Sequence, residues 1–314
     1  MDKKNLICIP FAYKEGMNSG VNISGGGRKL EIYLKNASVA LASAKRFNSD
    51  CDVAFATNLR KEKLPNEFLK ILREWDIQVL EIPYNEFEFP GDYTWSLAFY
   101  KLCVLKRISE MQYMSVCYLD TDVYIQGNFG AIWKECEQNV MLYDINHGLN
   151  TDDYISLCDE VEEFCGNRKL ITHYGGEFFA ASSSNAKKFV NVCEQVYSKM
   201  LEGNFRTTKG DEFILSVAAE NMKASIKNAG AYVYRFWTGA SFRLVSTCYE
   251  YNRIIVLHLP AEKEHGMLKM YDHYIRKGLV PTDKNVWRIF RLSKMPLADQ
   301  GKRLLRNTVL KKIM

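Results

Sequence analysis

Apolar and polar positions alternate in blocks along the first third of the chain. Residues 5–13 (NLICIPFAY) form a short, nearly continuous apolar run that reads as a strand. Over residues 29–47 (KLEIYLKNASVALASAKRF) the spacing of Leu30, Leu34, Val39 and Ala42 predicts a helix. The alternation then repeats: a strand at 51–57, a helix at 66–75, a strand at 77–82, and a helix from about Trp95 to Ile108 that leads into a strand ending at Asp120. Strands alternating with helices predict an α/β fold whose mostly parallel sheet is covered on both faces. In such sheets ligands bind at the carboxyl ends of the strands.

That placement gives meaning to CYLDTDVYIQGNF, residues 117–129, where two carboxylates follow an apolar run. In extended backbone, residues two apart point the same way, so Asp120 and Asp122 converge while Thr121 faces elsewhere. Like charges held together call for a cation. His258 ends the run IIVL and has the same strand-end placement; His265, in the loop-like EKEHG, is a rival ligand. Two carboxylates and an imidazole, with phosphate oxygens completing the shell, suit Mn²⁺, or Mg²⁺ if water replaces the nitrogen. Solvated turn aspartates and a core histidine are the plainer readings of the same residues. Lys101 has Leu97, Ala98, Val104 and Leu105 as its helical neighbours, so its charge needs either an anion or a stem long enough to reach water.

The chain has 314 residues, enough for one large domain, and shows neither low-complexity tracts nor a fixed repeat. Its nine cysteines make no CxxC pair and no zinc spacing, which suggests buried free thiols in a reducing compartment. The opening residues give way too soon to Lys14 and Glu15 for a signal peptide, and no apolar stretch is long enough to span a bilayer. A cytoplasmic location is expected. Of the net charge of +5, residues 287–314 carry eight cations against Asp299 alone, or +7, which leaves −2 for the rest. This tail also holds Trp287, Phe290, Leu297, Leu304, Leu305 and Val309, the mixture of an amphipathic segment peripheral on the inner face of a membrane. A helix packed on the body with a basic outer side is the alternative. Nucleic acid is disfavoured as a partner, since no recognised motif accompanies the charge.

Two enzyme classes place paired aspartates after a strand. One is the haloacid-dehalogenase type of phosphatase, with Asp120 and Asp122 as nucleophile and acid/base; its motif normally lies on a first strand and is followed by small residues, unlike Tyr124 and Ile125 here. The other is the nucleotide-sugar glycosyltransferases. FYKLCVLKRISEMQYMSVCYLDTDVYIQGNF (99–129), YGGEFFAASS (174–183), KGDEFILS (209–216) and IIVLHLPAEK (254–263) together resemble, in order and interval, the retaining glycosyltransferases of the glycogenin and lipopolysaccharide galactosyltransferase family. The chain departs from that pattern at Gly175 and Gly176, where an asparagine is expected nearby, at Glu212 in place of glutamine, and at Ala261 in place of glycine.

The resemblance implies a GT-A fold, a Rossmann-like mixed sheet flanked by helices, as a single catalytic domain over 1–280 with a basic tail over 281–314. It implies transfer of a hexose from a UDP-sugar to a glycan or lipid-linked oligosaccharide, with retention, in surface polysaccharide or lipopolysaccharide synthesis. By the same resemblance Lys101 touches the donor, and Asp144, ending the run VMLY, faces the donor sugar and acceptor; a solvated turn aspartate is the alternative for Asp144. Lys263 and Lys101 stabilise the departing diphosphate, and Thr121 belongs to the stretch that binds the donor. Asp211 is read either as a helix cap or as a hydroxyl-binding carboxylate; Glu212 either accepts from the sugar or favours a first helical turn. A double displacement would need a nucleophile, for which Asp144, Asp211 and Glu212 are the candidates; a front-face route would need none. Tyr13, at the end of the first strand, either stacks on the base or packs in the core. The glycine cluster at 18–29 fits neither phosphate-loop pattern and reads as a loop over the nucleotide or a linker. A non-catalytic membrane-associated binding protein of the same fold is the non-enzyme alternative.

Overall fold

A computed structural model of the chain describes residues 4–14, 28–90, 93–146, 148–238 and 254–292, together with residue 301. The expected alternation is present: β1 (Leu6–Phe11), α1 (Lys29–Phe47), β2 (Asp52–Thr57), α2 (Asn66–Glu74) and β3 (Gln78–Glu81) follow in order. The helix expected from Trp95 opens as a 3-10 turn, Ser96–Phe99, and becomes α3 (Tyr100–Glu110) before β4 (Ser115–Leu119). Beyond it lie β5 (Val123–Ile125), α4 (Gly130–Cys136), β6 (Val140–Asp144), α5 (Asp152–Cys165), β7 (Tyr174–Ser182), α6 (Ser183–Glu202) and α7 (Asp211–Asn221). The last elements are β8 (Ile226–Asn228), β9 (Val233–Arg235), β10 (Val256–His258), α8 (Gly266–Met270), a π-helical turn (Tyr271–Arg276) and α9 (Asp283–Ile289).

Seven strands form one sheet in the order β3-β2-β1-β4-β7-β6-β8. The pairings are parallel except around β7, which runs antiparallel to both β4 and β6. The sheet is therefore mixed, compatible with a Rossmann-like arrangement. Its inner strands β1, β2, β4 and β6 read as nearly continuous apolar runs because both faces are covered there. Leu6, Cys8, Val116 and Tyr118 pack on the side of α3, α5, α6 and α7, while Ile7, Ile9, Cys117 and Leu119 pack on the side of α1, α2 and α4.

A second sheet of three strands, β5-β10-β9, sits against α1. Helix α1 is consequently buried on two sides: Leu34, Ala37 and Leu41 face the large sheet's layer, and Val39 and Ala42 face a third apolar layer with Tyr124, Leu257 and Met270. This explains its small residues. Ser43, buried mid-helix, donates to Ala40 O and accepts from the Ile125 amide at 3.1 Å, which satisfies a backbone donor of the small sheet.

Residues just beyond the expected boundary near 280 pack on the body. Val286, Phe290 and Leu292 are buried in the third layer, and Phe290 lies 5.4 Å from the Tyr124 ring, because the apolar face of α9 covers the small sheet. Residues 293–300 and 302–314, on which the membrane-docking reading rests, lie outside the described residues, as do residues 15–27 of the glycine-rich stretch and Cys248. The eight described cysteines are free. No helix among the described residues is long and apolar enough to cross a membrane.

Phe179 in β7 is fully buried between Tyr118, at 5.7 Å between ring centres, and Phe189, at 5.4 Å. Phe179→Ala should lower stability by about 3–5 kcal/mol, read as a shift of the denaturant midpoint.

Candidate functional site

The large sheet changes direction of growth at β1, with β2 on one side and β4 on the other, and such a switch point opens a crevice at the strand ends. A cavity of about 600 Å³ lies there. Pro10, Phe11 and Ala12 bring the end of β1 to its wall, Asp120 and Thr121 the end of β4, and His258 the end of β10.

Between β4 and β5 the chain leaves one sheet for the other, so residues 120–122 form a turn rather than extended backbone. Thr121 accordingly does not face elsewhere: it is buried and lines the cavity. Asp120 folds its carboxylate back to accept from the Thr121 amide at 2.9 Å. Asp122 turns inward and is fully buried. The two aspartates still converge, and one ligand atom from each of Asp120, Asp122 and His258 lies within 4.8 Å of the others. His265, the rival ligand, is exposed and outside this cluster.

Two charges answer the buried aspartate. His258 Nε2 and Lys263 Nζ each stand 3.2 Å from Asp122 Oδ2, while Asp122 Oδ1 has no hydrogen-bond partner among the described residues. Burial disfavours an ionised Asp122, but Lys263 and His258 outweigh it and hold the carboxyl well below its ordinary range. Burial likewise opposes a charged His258, yet Asp122 and Glu177 raise its pKa to about 9. Lys263 is pushed up despite its burial, by Asp122 and then Asp120. This orphaned buried oxygen, beside a second carboxylate and an imidazole, is a donor set that a divalent cation fits.

Glu177 extends the charged line. Its carboxylate, 1% exposed, faces His258 Nδ1 at 3.1 Å and accepts from Arg235 Nε at 2.7 Å and Nη2 at 2.6 Å. Arg235 in turn donates to Glu212 at 2.9 Å, Glu212 stands 3.2 Å from His173, and His173 stands 3.4 Å from Asp153, which pairs with Lys209. Burial opposes ionisation of Glu212, but His173 and Arg235 lower its pKa to about 2.

Lys101 finds its anion within the protein. It pairs with Asp211 at 2.8 Å and lines the cavity with it. Burial opposes the Lys101 charge, but Asp211 and Asp120 hold it protonated, while burial raises Asp211 to about 6 against the pull of Lys101. Asp211 is not the helix cap: Gly210, at φ +62°, is the capping position, and Asp211 begins α7. The two glycines of YGGEFF make room for both ion pairs. A Cβ on Gly175 would lie 1.9 Å from Glu177 Oε2, and one on Gly176 would lie 2.2 Å from Asp211 Oδ2.

Two residues expected at the site are elsewhere. Asp144 accepts from the Asn146 amide at 2.9 Å, closing a local turn, and is not on the cavity wall, where its neighbour Ile145 stands. Tyr13 is pinned by its main chain to the Asn58 amide and does not line the cavity; the aromatics there are Phe11 and Tyr33, 5.5 Å apart, with Trp95, Tyr100 and Trp237. Glu177, Arg235 and His173 were not singled out from sequence, although Glu177 in GGEFFAA and Arg235 in YVYRFW are lone charges in apolar runs.

No protein-family model matches the chain, and no curated protein matches it. The site's reading rests on its own chemistry.

The depressed Glu212 pKa gives a signed expectation. The unfolded chain binds this proton more readily than the native one between pH 4.5 and about 2, so the stabilisation is present above that window and is lost as pH falls through it. Glu212→Gln should lower the melting temperature at pH 6, by an amount corresponding to about 2–3 kcal/mol. It should also flatten the acid decline of the melting curve between pH 4.5 and 2 relative to the unaltered chain.

Proposed function

We propose that the chain is a metal-dependent glycosyltransferase of GT-A type that moves a hexose from a UDP-sugar to a glycan or lipid-linked acceptor. The observation that carries this reading is the convergence of Asp120, Asp122 and His258 within 4.8 Å at the rim of a strand-end cavity. When bound, a divalent cation such as Mn²⁺ would supply Lewis-acid neutralisation of the charge that develops on the departing diphosphate.

The remaining chemistry belongs to the side chains. Asp120, Asp122 and His258 would hold the cation, and Lys263 and Lys101 would bind phosphate oxygens from the wall. Tyr33 and Phe11, at the β1 side, offer aromatic faces to the base in place of Tyr13. Asp211 and Glu212 line the cavity but are tied to Lys101 and Arg235, a setting suited to orienting sugar hydroxyls rather than attacking carbon. Asp144 stands off the wall. The arrangement thus favours a front-face route in which no enzyme carboxylate becomes bonded to the sugar, consistent with retention. Trp95 and Trp237 border the same cavity and give an acceptor sugar apolar faces to rest on.

The phosphatase reading fares worse. Its second aspartate must exchange protons with the substrate, whereas Asp122 is fully buried, absent from the cavity wall and ion-paired through Oδ2 with both His258 and Lys263. The part played by the terminal basic segment stays with the proposal of a membrane-linked acceptor.

UDP should raise the melting temperature only when Mn²⁺ is present. Asp120→Asn should reduce UDP-sugar turnover by about 100-fold or more while the metal-free melting temperature is retained. Turnover preserved in that variant, or trapping by beryllofluoride without any response to UDP, would contradict the assignment.

A further inference from the structure

We infer that Glu177 is a positioning residue that sets both Asp120 and His258 in the geometry needed to hold a divalent cation; this rests on the metal-binding reading of the site. Glu177 lies in β7 and does not line the cavity, so it touches neither donor nor acceptor. An unpaired buried carboxylate would cost several kcal/mol, and the pairs it makes lead directly to the candidate ligands.

Its backbone carbonyl accepts from the Asp120 amide at 3.0 Å, fixing the start of the turn that carries both aspartates. Its side chain meets His258 Nδ1 at 3.1 Å, which leaves Nε2 as the nitrogen facing Asp122. An imidazole that ligates a metal through one nitrogen needs the other held by an acceptor, or the ring can rotate and offer the wrong atom; a carboxylate in that place also makes the ring a stronger donor.

Three local features keep Glu177 in position. Arg235 grips both carboxylate oxygens in a fork, at 2.7 and 2.6 Å, and sits opposite His258 in the β9–β10 pairing, so one strand pair delivers the clamp and the ligand together. Gly175 leaves the space that the fork occupies: a Cβ there would lie 2.6 Å from Arg235 Nη2. The β6–β7 pairing also steps from Leu142 opposite Phe179 to Asp144 opposite Tyr174, so β7 bulges through Gly175, Gly176 and Glu177. Bulges re-aim side chains, and this one lies where Glu177 must reach across to the small sheet.

Mn²⁺ titration of the full chain, followed by electron paramagnetic resonance of the free ion, tests the assignment without any turnover assay. Glu177→Gln should bind Mn²⁺ about 10–100-fold more weakly than the unaltered chain. Glu177→Asp keeps the charge beside Arg235 but withdraws it from Nδ1; it should show the same direction of change and serves where the glutamine variant does not fold. Glu160→Gln removes a carboxylate that ties Thr207 and Thr208, away from Arg235 and His258, and its Mn²⁺ affinity should be unchanged. Equal affinity in the folded Glu177 variants and the unaltered chain would overturn the positioning role alone. Absence of Mn²⁺ binding by the unaltered chain would overturn the metal site and this role with it. A loss in Glu160→Gln equal to that in Glu177→Gln would reduce Glu177 to general support of the fold.

Discussion

A carboxylate removed from water must be met by cations, and Asp122 imposes that condition on the rest of the structure. It lies fully buried where one sheet hands the chain to another, with His258 and Lys263 at 3.2 Å from one oxygen and no hydrogen bond to either oxygen among the described residues. His258, drawn towards its protonated form by this contact, also faces a second anion, Glu177; Glu177 requires Arg235; and Arg235 is shared with Glu212. The charges run beneath the cavity floor as a sequence of obligations, each tolerable only because the next is present. Ion pairs of this kind contribute little net stability compared with apolar packing, so their value is in fixing where each charged atom stands.

The fold supplies the rigidity. Apolar layers clothe both faces of the large sheet, and α1 joins it to the small sheet by being buried on two sides. The turn at residues 120–122 is thereby held between two packed sheets, and His258 of β10 arrives at it through antiparallel pairing with β5. A site whose members come from separate sheets can be exact only if those sheets do not slide, and the Ser43 contact with the Ile125 amide is one of the ties that prevent it.

Much of this was legible in the sequence where the signal is local. Helix α1 begins and ends where its apolar spacing does, and Asp120, Asp122 and His258 stand out because each follows an apolar run. Asp144 has the same local signature yet bends back on Asn146, since nothing in a strand-end pattern records which way a side chain turns afterwards. The reversed direction of β7 left no trace either: a strand buried on both faces reads alike in both directions. Lys101 was recognised as needing an anion, but the partner, Asp211, lies over a hundred residues on. Glu177 and Arg235 are lone charges among apolar neighbours, and only the folded chain, which brings together positions 58 apart, shows that they answer each other.

The paired glycines before Glu177 carry a consequence for the protein's history. Each offers a hydrogen where any other residue would drive a carbon into an ion pair, so neither can be exchanged while those pairs persist. Drift at either position would have to await simultaneous replacement of its charged neighbours, a multi-step path whose intermediates strand a charge in the interior. Divergent descendants of this chain should therefore keep GGE as a block long after the surrounding surface has been rewritten.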